Sequence, residues 1–278
     1  CVACGECVQV CPTGALKPSG LGAWEMPGES DKIVDSICPY CGVGCQVRLH
    51  VEDNRITWVE GRDGPANHSR LCVKGRFGMD YASHDHRLTV PLIRKNNAKK
   101  TEEITVDPEY PFDQFRIATW EEALDAATGG FKSILGSKGP KGLAGFGSAK
   151  GSNEEAYLFQ KLIRAGFHTN NVDHCTRLCH ASSVSALLEG IGSGAVTAPF
   201  ISCLDSDVIV VIGSNPTINH PVAVTFIKNA AEAGAELIVI DPRKNALASY
   251  ASEFLQFNAG SDVALLNALL NVIVQEEL

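Results

Sequence analysis

The chain has 278 residues, 45% of them hydrophobic and 20% charged, with a formal net charge of −8. That is enough apolar material for a large core in two or more units, and it excludes a disordered tail. The negative balance argues against non-specific binding to nucleic-acid phosphates, while a local basic pocket for an anionic ligand stays possible. No apolar run approaches the roughly eighteen residues of a membrane span. The longest candidates, 208–213 and 237–240, are far shorter, so no membrane span is expected. A chain that begins on Cys1, with neither an initiator Met nor a leader pattern, is expected to have lost its true beginning.

In chain order, the first signal is Cys1-x2-Cys4-x2-Cys7-x3-Cys11-Pro12, the run by which bacterial ferredoxins hold [4Fe–4S] clusters. In that arrangement Cys1, Cys4 and Cys7 share one cluster. Cys11 serves a second, whose other ligands are expected upstream. A closed tetrahedral zinc site is the alternative, but it leaves the Cys-Pro ending unexplained. A Gly- and Pro-containing linker, 17–29, leads to Cys38, Cys41 and Cys45, completed at a distance by Cys72. Glycines 42 and 44 let the backbone wrap a bulky inorganic group and offer amides to it. Between these ligands, 46–51 and 55–60 read as a β-hairpin around Glu52-Asp53-Asn54. Eight of the 11 cysteines crowd the first 72 residues in tight spacings, which suits metal binding better than a secreted disulfide framework. Assembly of such sites needs a reducing compartment, so a cytoplasmic location is expected.

The polar segment 94–113 reads as a surface excursion. From residue 117 onward strand and helix signals alternate, the pattern of parallel sheets flanked by helices. A strand at 143–147 runs through 148–153 into a helix at 154–165. The stretch 170–183 carries Cys175, Cys179 and His180, followed by Ser182 and Ser183 as caps of an apolar helix. A further unit has a strand at 207–212, a turn at 213–216, a helix at 221–233, a strand at 236–240 and then Asp241-Pro242-Arg243. Ligands bind at the carboxyl ends of such strands. Gly213 permits close approach of a large ligand, Asp241 can accept from a guanine ring, and Arg243 can pair with phosphate. Read alone, these are also ordinary α/β turns. No G-x-G-x-x-G fingerprint is present, so NAD is not expected on this chain.

The segments C-P-Y-C-G-V-G-C at 38–45 and R-L-C-V-K-G-R-F-G at 70–78 resemble the cluster segment of the molybdopterin oxidoreductases. The stretch around Cys179-His180 resembles the active-site stretch of formate dehydrogenases, and the likeness extends over the chain toward catalytic subunits of soluble NAD-dependent formate dehydrogenases. The resemblance implies an α/β fold in three parts. A ferredoxin-like iron–sulfur segment and linker cover 1–30, a small β-rich [4Fe–4S] domain covers 31–92, and an incomplete multi-domain pterin-binding region with parallel sheets covers 93–278. It implies cluster ligation by Cys1, Cys4, Cys7, Cys11, Cys38, Cys41, Cys45 and Cys72, and ligation of molybdenum or tungsten by Cys179. It further implies a catalytic His180, and a Lys74 lying between cluster and pterin.

Two pterin guanine dinucleotides would touch Lys74, Gly213, Asn215, His220, Asp241 and Arg243, with Gly260 and Asp262 in a later segment. The implied reaction is oxidation of formate to carbon dioxide. Electrons would leave toward a flavin and iron–sulfur diaphorase subunit that reduces NAD, in a hetero-oligomer. A thiolate suits a soft, high-valent metal, and an imidazole is well placed to hold a proton near neutral pH. Cys175 and Cys203 are expected as small buried apolar residues, and His174 as packing or support. The substrate-fixing arginine of these enzymes has no match in the motifs and is expected beyond Leu278. Two rivals remain: an assimilatory nitrate reductase, or an electron-transfer scaffold like the large iron–sulfur subunit of NADH dehydrogenase.

Overall fold

A computed structural model describes residues 2–17, 32–98, 107 and 110–278. Cys1, nearly all of the 17–29 linker and much of the 94–113 excursion lie outside these residues. Contacts divide the chain into two compact units, Cys1–Ser83 with Ala198–Leu278, and His84–Thr197.

The first unit begins with a single helical turn, α1 (Glu6–Gln9), entered through Gly5 at φ 74°. Strands β1 (Lys32–Ile37), β2 (Gln46–Glu52) and β3 (Arg55–Gly61) form an antiparallel sheet in sequence order. The β2–β3 turn has both central residues left-handed, Asp53 at φ 48° and Asn54 at φ 59°. That matches the right-handed twist of a hairpin, and Asp and Asn tolerate it better than other side chains. Beyond β3, the side chain of Asn67 is fully buried. Its amide nitrogen lies within 3.2 Å of the carbonyls of Gln46, Arg62 and Arg70, and its oxygen accepts from Gln46 N at 3.0 Å. One satisfied buried amide thus pins the loop that returns to Cys72 and the short helix α2 (Val73–Phe77).

In the second unit, β4 (Leu92–Arg94) pairs antiparallel with β5 (Phe115–Ile117). Helix α3 (Trp120–Lys138) follows, its Thr119 side chain accepting from Glu122 N. Strand β6 (Gly145–Gly147) is shorter than the sequence signal and runs parallel to β7 (Val172–His174). Between them α4 (Asn153–Lys161) opens on a capping box of Ser152 and Glu155 and widens into a π-helical turn, Leu162–Gly166. Leu143, Ile163 and Phe167 form the buried centre of this unit, backed by Ile134, Leu135, Phe159 and Val172. Then come α5 (Thr176–Cys179) and α6 (Ala181–Ile191), which ends at Gly192 with φ 70°. Ser182 and Ser183 are not caps: they lie inside the first turn of α6, and His180 takes the capping position without a side-chain hydrogen bond.

The chain then returns to the first unit with β8 (Val208–Ile212), α7 (Pro216–Asn219), α8 (Ala223–Glu232), β9 (Glu236–Ile240), β10 (Glu253–Leu255) and α9 (Asp262–Gln275). The three strands are parallel in the order β10-β9-β8. Helix α8 and the turn before it are apolar on more than one face, which a helix needs when it is covered on two sides. Val222 and Phe226 pack with Cys38, Cys45, Val47, Val59 and Leu71, while Val224 and Ile227 pack with Leu237, Val239 and Leu247. Burying a Phe such as Phe226, 2% exposed, contributes about 2–3 kcal/mol. Arg70 also stacks over the Phe226 ring at 5.0 Å and donates to Thr225 Oγ1 at 3.3 Å. The parallel sheet and the antiparallel cysteine-bearing sheet are thereby packed on one helix. No helix among the described residues is long and apolar enough to cross a membrane.

Candidate functional site

Cys38 to Cys45 form the connection between β1 and β2, closed at its base by Cys38 N donating to Cys45 O at 2.8 Å. Gly44, at φ 69°, makes the sharp turn within it. Cys38 and Cys45 are buried, while Cys41 and Cys72 are half-buried. Cys72 precedes the first residue of α2, and this helix sits so close that a side chain at Gly75 would meet Cys38 Sγ at 3.6 Å.

Burial pushes the Cys45 thiol up to about 12, and the neighbouring sulfurs of Cys38, Cys41 and Cys72 add to the shift. Cys38 is raised for the same reasons, burial first, then Cys72 and Cys41. The four sulfurs therefore share one electrostatic neighbourhood. Among the described residues, no three His, Cys, Asp or Glu side chains converge closely enough for a single ion. Two buried thiols with two half-buried ones close enough to raise them fit a multi-iron cluster, whose charge would displace their protons. Lys74 is exposed on α2, two residues past Cys72.

In the amino-terminal segment, Cys7 lies exposed on α1, with Cys4 just before it and Cys11 beyond. The Cys11 thiol is lowered to about 6 by the Thr13 hydroxyl, which lies 3.4 Å from its sulfur, and by the backbone amides of Leu16, Thr13 and Ala15. Amides converging on a sulfur are what a cluster-bound thiolate uses.

Gly213, at φ 60°, leaves β8 and donates its N–H to Ile240 O at 2.9 Å, which sets it beside the end of β9. Asn215 follows, its side chain hydrogen-bonded to Thr217, while Asn245 donates to Ser214 O at 3.3 Å. Asp241 is buried, and its carboxylate accepts from Arg243 N at 2.7 Å. Gly213, Asn215, Asp241 and Arg243 are thus gathered at the carboxyl ends of two adjacent parallel strands, with the Arg243 side chain exposed. His220 stands at the end of α7, and Gly260 and Asp262 stand at the start of α9. A left-handed glycine, a buried carboxylate and a free guanidinium together suit a nucleotide with a charged pyrophosphate. A cavity of about 360 Å³ at the opposite, amino ends of β8 and β9 is lined by Asp205, Asp207 and the turn Ala233–Ala235, and none of these residues was expected to bind.

The second unit carries the Cys179-His180 pair. Both are exposed where α5 meets α6, with Cys179 Sγ 3.8 Å from His180 Nε2. An open, soft thiol beside an imidazole has the donor chemistry for a metal delivered by another ligand. Cys175 is exposed in the turn after β7 rather than buried, whereas Cys203 is half-buried among apolar side chains and its thiol is raised by that burial.

Two cavities, about 510 and 360 Å³, meet at Asp173 and His174, at the carboxyl end of β7. The larger is lined also by Gly147, Ser148 and Glu155 at the matching end of β6. His174 is held by Thr176, with Nδ1 2.7 Å from its hydroxyl. Asp173 accepts from His174 N and from Arg177, which lowers its carboxyl, the backbone donor contributing most. His174, expected as packing or support, lines both cavities. Ser148 and Glu155, which carry no motif, line the larger cavity at the strand carboxyl ends, where ligands bind in such sheets. Asn67 carries no motif and has no sequence signal.

Three family models match: molybdopterin oxidoreductase over 87–278, molybdopterin oxidoreductase Fe4S4 domain over 31–84, and 4Fe-4S binding domain over 1–17. F420-dependent formate dehydrogenase 2 subunit alpha of Methanococcus maripaludis is 38% identical over 88% of this chain and 33% of its own length. Probable oxidoreductase YjgC of Bacillus subtilis is 33% identical over 99% of this chain and 30% of its own. Putative formate dehydrogenase SAR2393 of Staphylococcus aureus is 32% identical over 100% of this chain and 31% of its own. The chain therefore spans about a third of the length of these relatives. Acetylene hydratase from Pelobacter acetylenicus shares the fold, with a TM-score of 0.71 at 21% identity over 87% of this chain and 32% of that one.

Proposed function

Because the chain belongs to the molybdopterin oxidoreductase family, we propose that it is the cluster-bearing and pterin-binding portion of a formate dehydrogenase catalytic subunit. The observation that carries this reading is the exposed Cys179 thiol held 3.8 Å from His180 at the junction of two helices. Relatives named formate dehydrogenase subunit alpha support it.

A pterin-held molybdenum or tungsten centre supplies two-electron chemistry, and [4Fe–4S] clusters accept those electrons singly. The chain's own residues do the rest. Cys179 offers a thiolate to the metal, and its backbone N–H donates to Cys175 O at 3.2 Å. His180 Nε2 holds or accepts a proton next to that sulfur. Cys38, Cys41, Cys45 and Cys72 hold one cluster, and Lys74 keeps a positive charge beside it. Cys1, Cys4 and Cys7 hold a second, while Cys11 serves a third. Gly213, Asn215, His220, Asp241 and Arg243, with Gly260 and Asp262, cradle pterin dinucleotide.

Electrons leave to a partner subunit in a reducing, cytoplasmic setting. A flavin and iron–sulfur partner reducing NAD is one acceptor; the name of the Methanococcus relative favours coenzyme F420 as the other.

The test is formate-dependent reduction of an artificial acceptor by the complete protein, purified without air and with its metals counted. Cys179→Ala should retain iron and lose turnover by more than the roughly 10–100-fold that changes around a metal's ligands cost. Unchanged turnover in that variant sinks the assignment. A fully metallated parent that is inert toward formate moves nitrate and related oxyanions forward.

A further inference from the structure

Arg76 is the largest side chain in the protein that is fully buried among the described residues, and no part of the proposed reaction uses it. It lies on α2, four residues after Cys72, with its own N–H bonded to Cys72 O at 3.0 Å. Its guanidinium reaches into the amino-terminal cysteine segment. Nε donates to the carbonyl of Cys4 at 2.8 Å, Nη1 to Gln9 Oε1 at 2.6 Å, and Nη2 to Glu6 Oε2 at 2.8 Å. A weaker contact runs from Nη1 to Val59 O at 3.4 Å on β3.

The acceptors are tied down in turn. Glu6 also accepts from Leu71 N at 3.2 Å, and Gln9 exchanges hydrogen bonds with Gly61 and donates to Ser69 O. Gly5 completes the fit: a β-carbon there would stand 2.5 Å from Arg76 Cδ and 2.6 Å from the Phe77 ring. Its φ of 74° is also one that other residues rarely adopt.

These contacts join two different ligand sets. The docking residues, Cys4 to Glu6 and Gln9, lie in and just after the Cys4/Cys7 loop. The element they dock on is the helix that carries Cys72. A buried guanidinium with all three nitrogens hydrogen-bonded through its planar fork fixes both direction and distance, which a lysine in the same place could not.

We propose that Arg76, with Glu6 and Gln9, is the positioning joint between two iron–sulfur sites. It sets the spacing between the Cys4/Cys7 loop and the Cys38/Cys41/Cys45/Cys72 cradle, and hence the coupling through which a single electron leaves one reduced cluster and reduces the other. The proposal rests on reading both cysteine sets as cluster ligands.

The test uses the full-length protein with its clusters assembled, comparing the parent with Arg76→Lys. Iron and sulfide content, and the spectroscopic signal of each reduced cluster, show whether both are present. Their magnetic interaction reports the spacing. Arg76→Lys should keep both clusters yet lose the parent's sharp inter-cluster splitting and slow electron exchange between them. Should this variant shed iron, the Arg76→Met/Glu6→Gln double variant, which leaves no orphaned buried charge, is measured in its place. An unchanged splitting and exchange rate in a variant that holds both clusters overturns the proposal. Absence of cluster signals from the parent itself removes the underlying iron–sulfur reading instead.

Discussion

Two of the cysteine sites proposed to hold a metal are built in opposite ways. Cys38 and Cys45 are withdrawn into a core that includes Val47, Val59, Leu71 and Phe226, with Cys72 packed against it. The loops that present them are braced by Asn67 and by a helix packed against Cys38. At Cys179 the residue is exposed, its neighbour Leu178 is 97% exposed, and its hydrogen bonds are local ones, from its N–H to Cys175 O and between its sulfur and His180. A buried set of thiols is costly to ionise, so it favours whatever group replaces its protons with positive charge. An open thiol gives room for a large ligand to bring its own metal, and asks less of the protein around it.

The sharpest break of this comparison is chemical modification of cluster-free protein. Burial holds the Cys45 thiol near 12, against an ordinary value of 9.0. Its thiolate fraction near neutral pH is therefore about 10³-fold lower than that of an ordinary thiol. Cys179 should react with iodoacetamide well ahead of Cys45, and Cys45 labelling should keep rising as the pH climbs past 9. Mass spectrometry of the labelled peptides reads both rates, and equal rates at neutral pH would abolish the distinction.

A smaller but still large effect is expected from Asn67→Ala. The buried partners at Gln46, Arg62 and Arg70 lose a shared amide, which should cost about 2–4 kcal/mol. Iron should be lost with it, because the return to Cys72 is no longer held. Denaturant unfolding and iron analysis check this together. Loss of stability with iron fully retained would mean that the cradle does not depend on the loop.

The mildest change is Ser152→Ala in the second unit. It removes the capping box of α4 and should cost about 1 kcal/mol. Iron content should not move, since no part of the cradle lies there. A fall in iron in this variant would show that the two sites are more closely linked than their separate packing suggests.

How much was legible beforehand follows the range of the interaction. The close cysteine spacings at 4–11 and 38–45 could be read because each falls in one short stretch of chain, and the β2–β3 hairpin because Asp53 and Asn54 choose their own turn. The alternation of strands and helices after residue 117 was legible through its hydrophobic period. Boundaries were less so: the strand expected at 143–147 is only Gly145–Gly147. The exposure of Cys175 and the non-capping serines were misread, because burial and capping depend on where the neighbouring elements stop.

By itself the sequence determined the cysteine-bearing loops, the turn types and the α/β character, all of them consequences of residue spacing, backbone preference and short-range periodicity. Tertiary structure alone decided that Ala198–Leu278 groups with the amino-terminal segment, that α8 fills two cores, and that Arg76 and Asn67 carry the joints. These last are single polar side chains with no repeating pattern. Their roles arise only when distant stretches of backbone are brought close enough to leave donors and acceptors that must be satisfied.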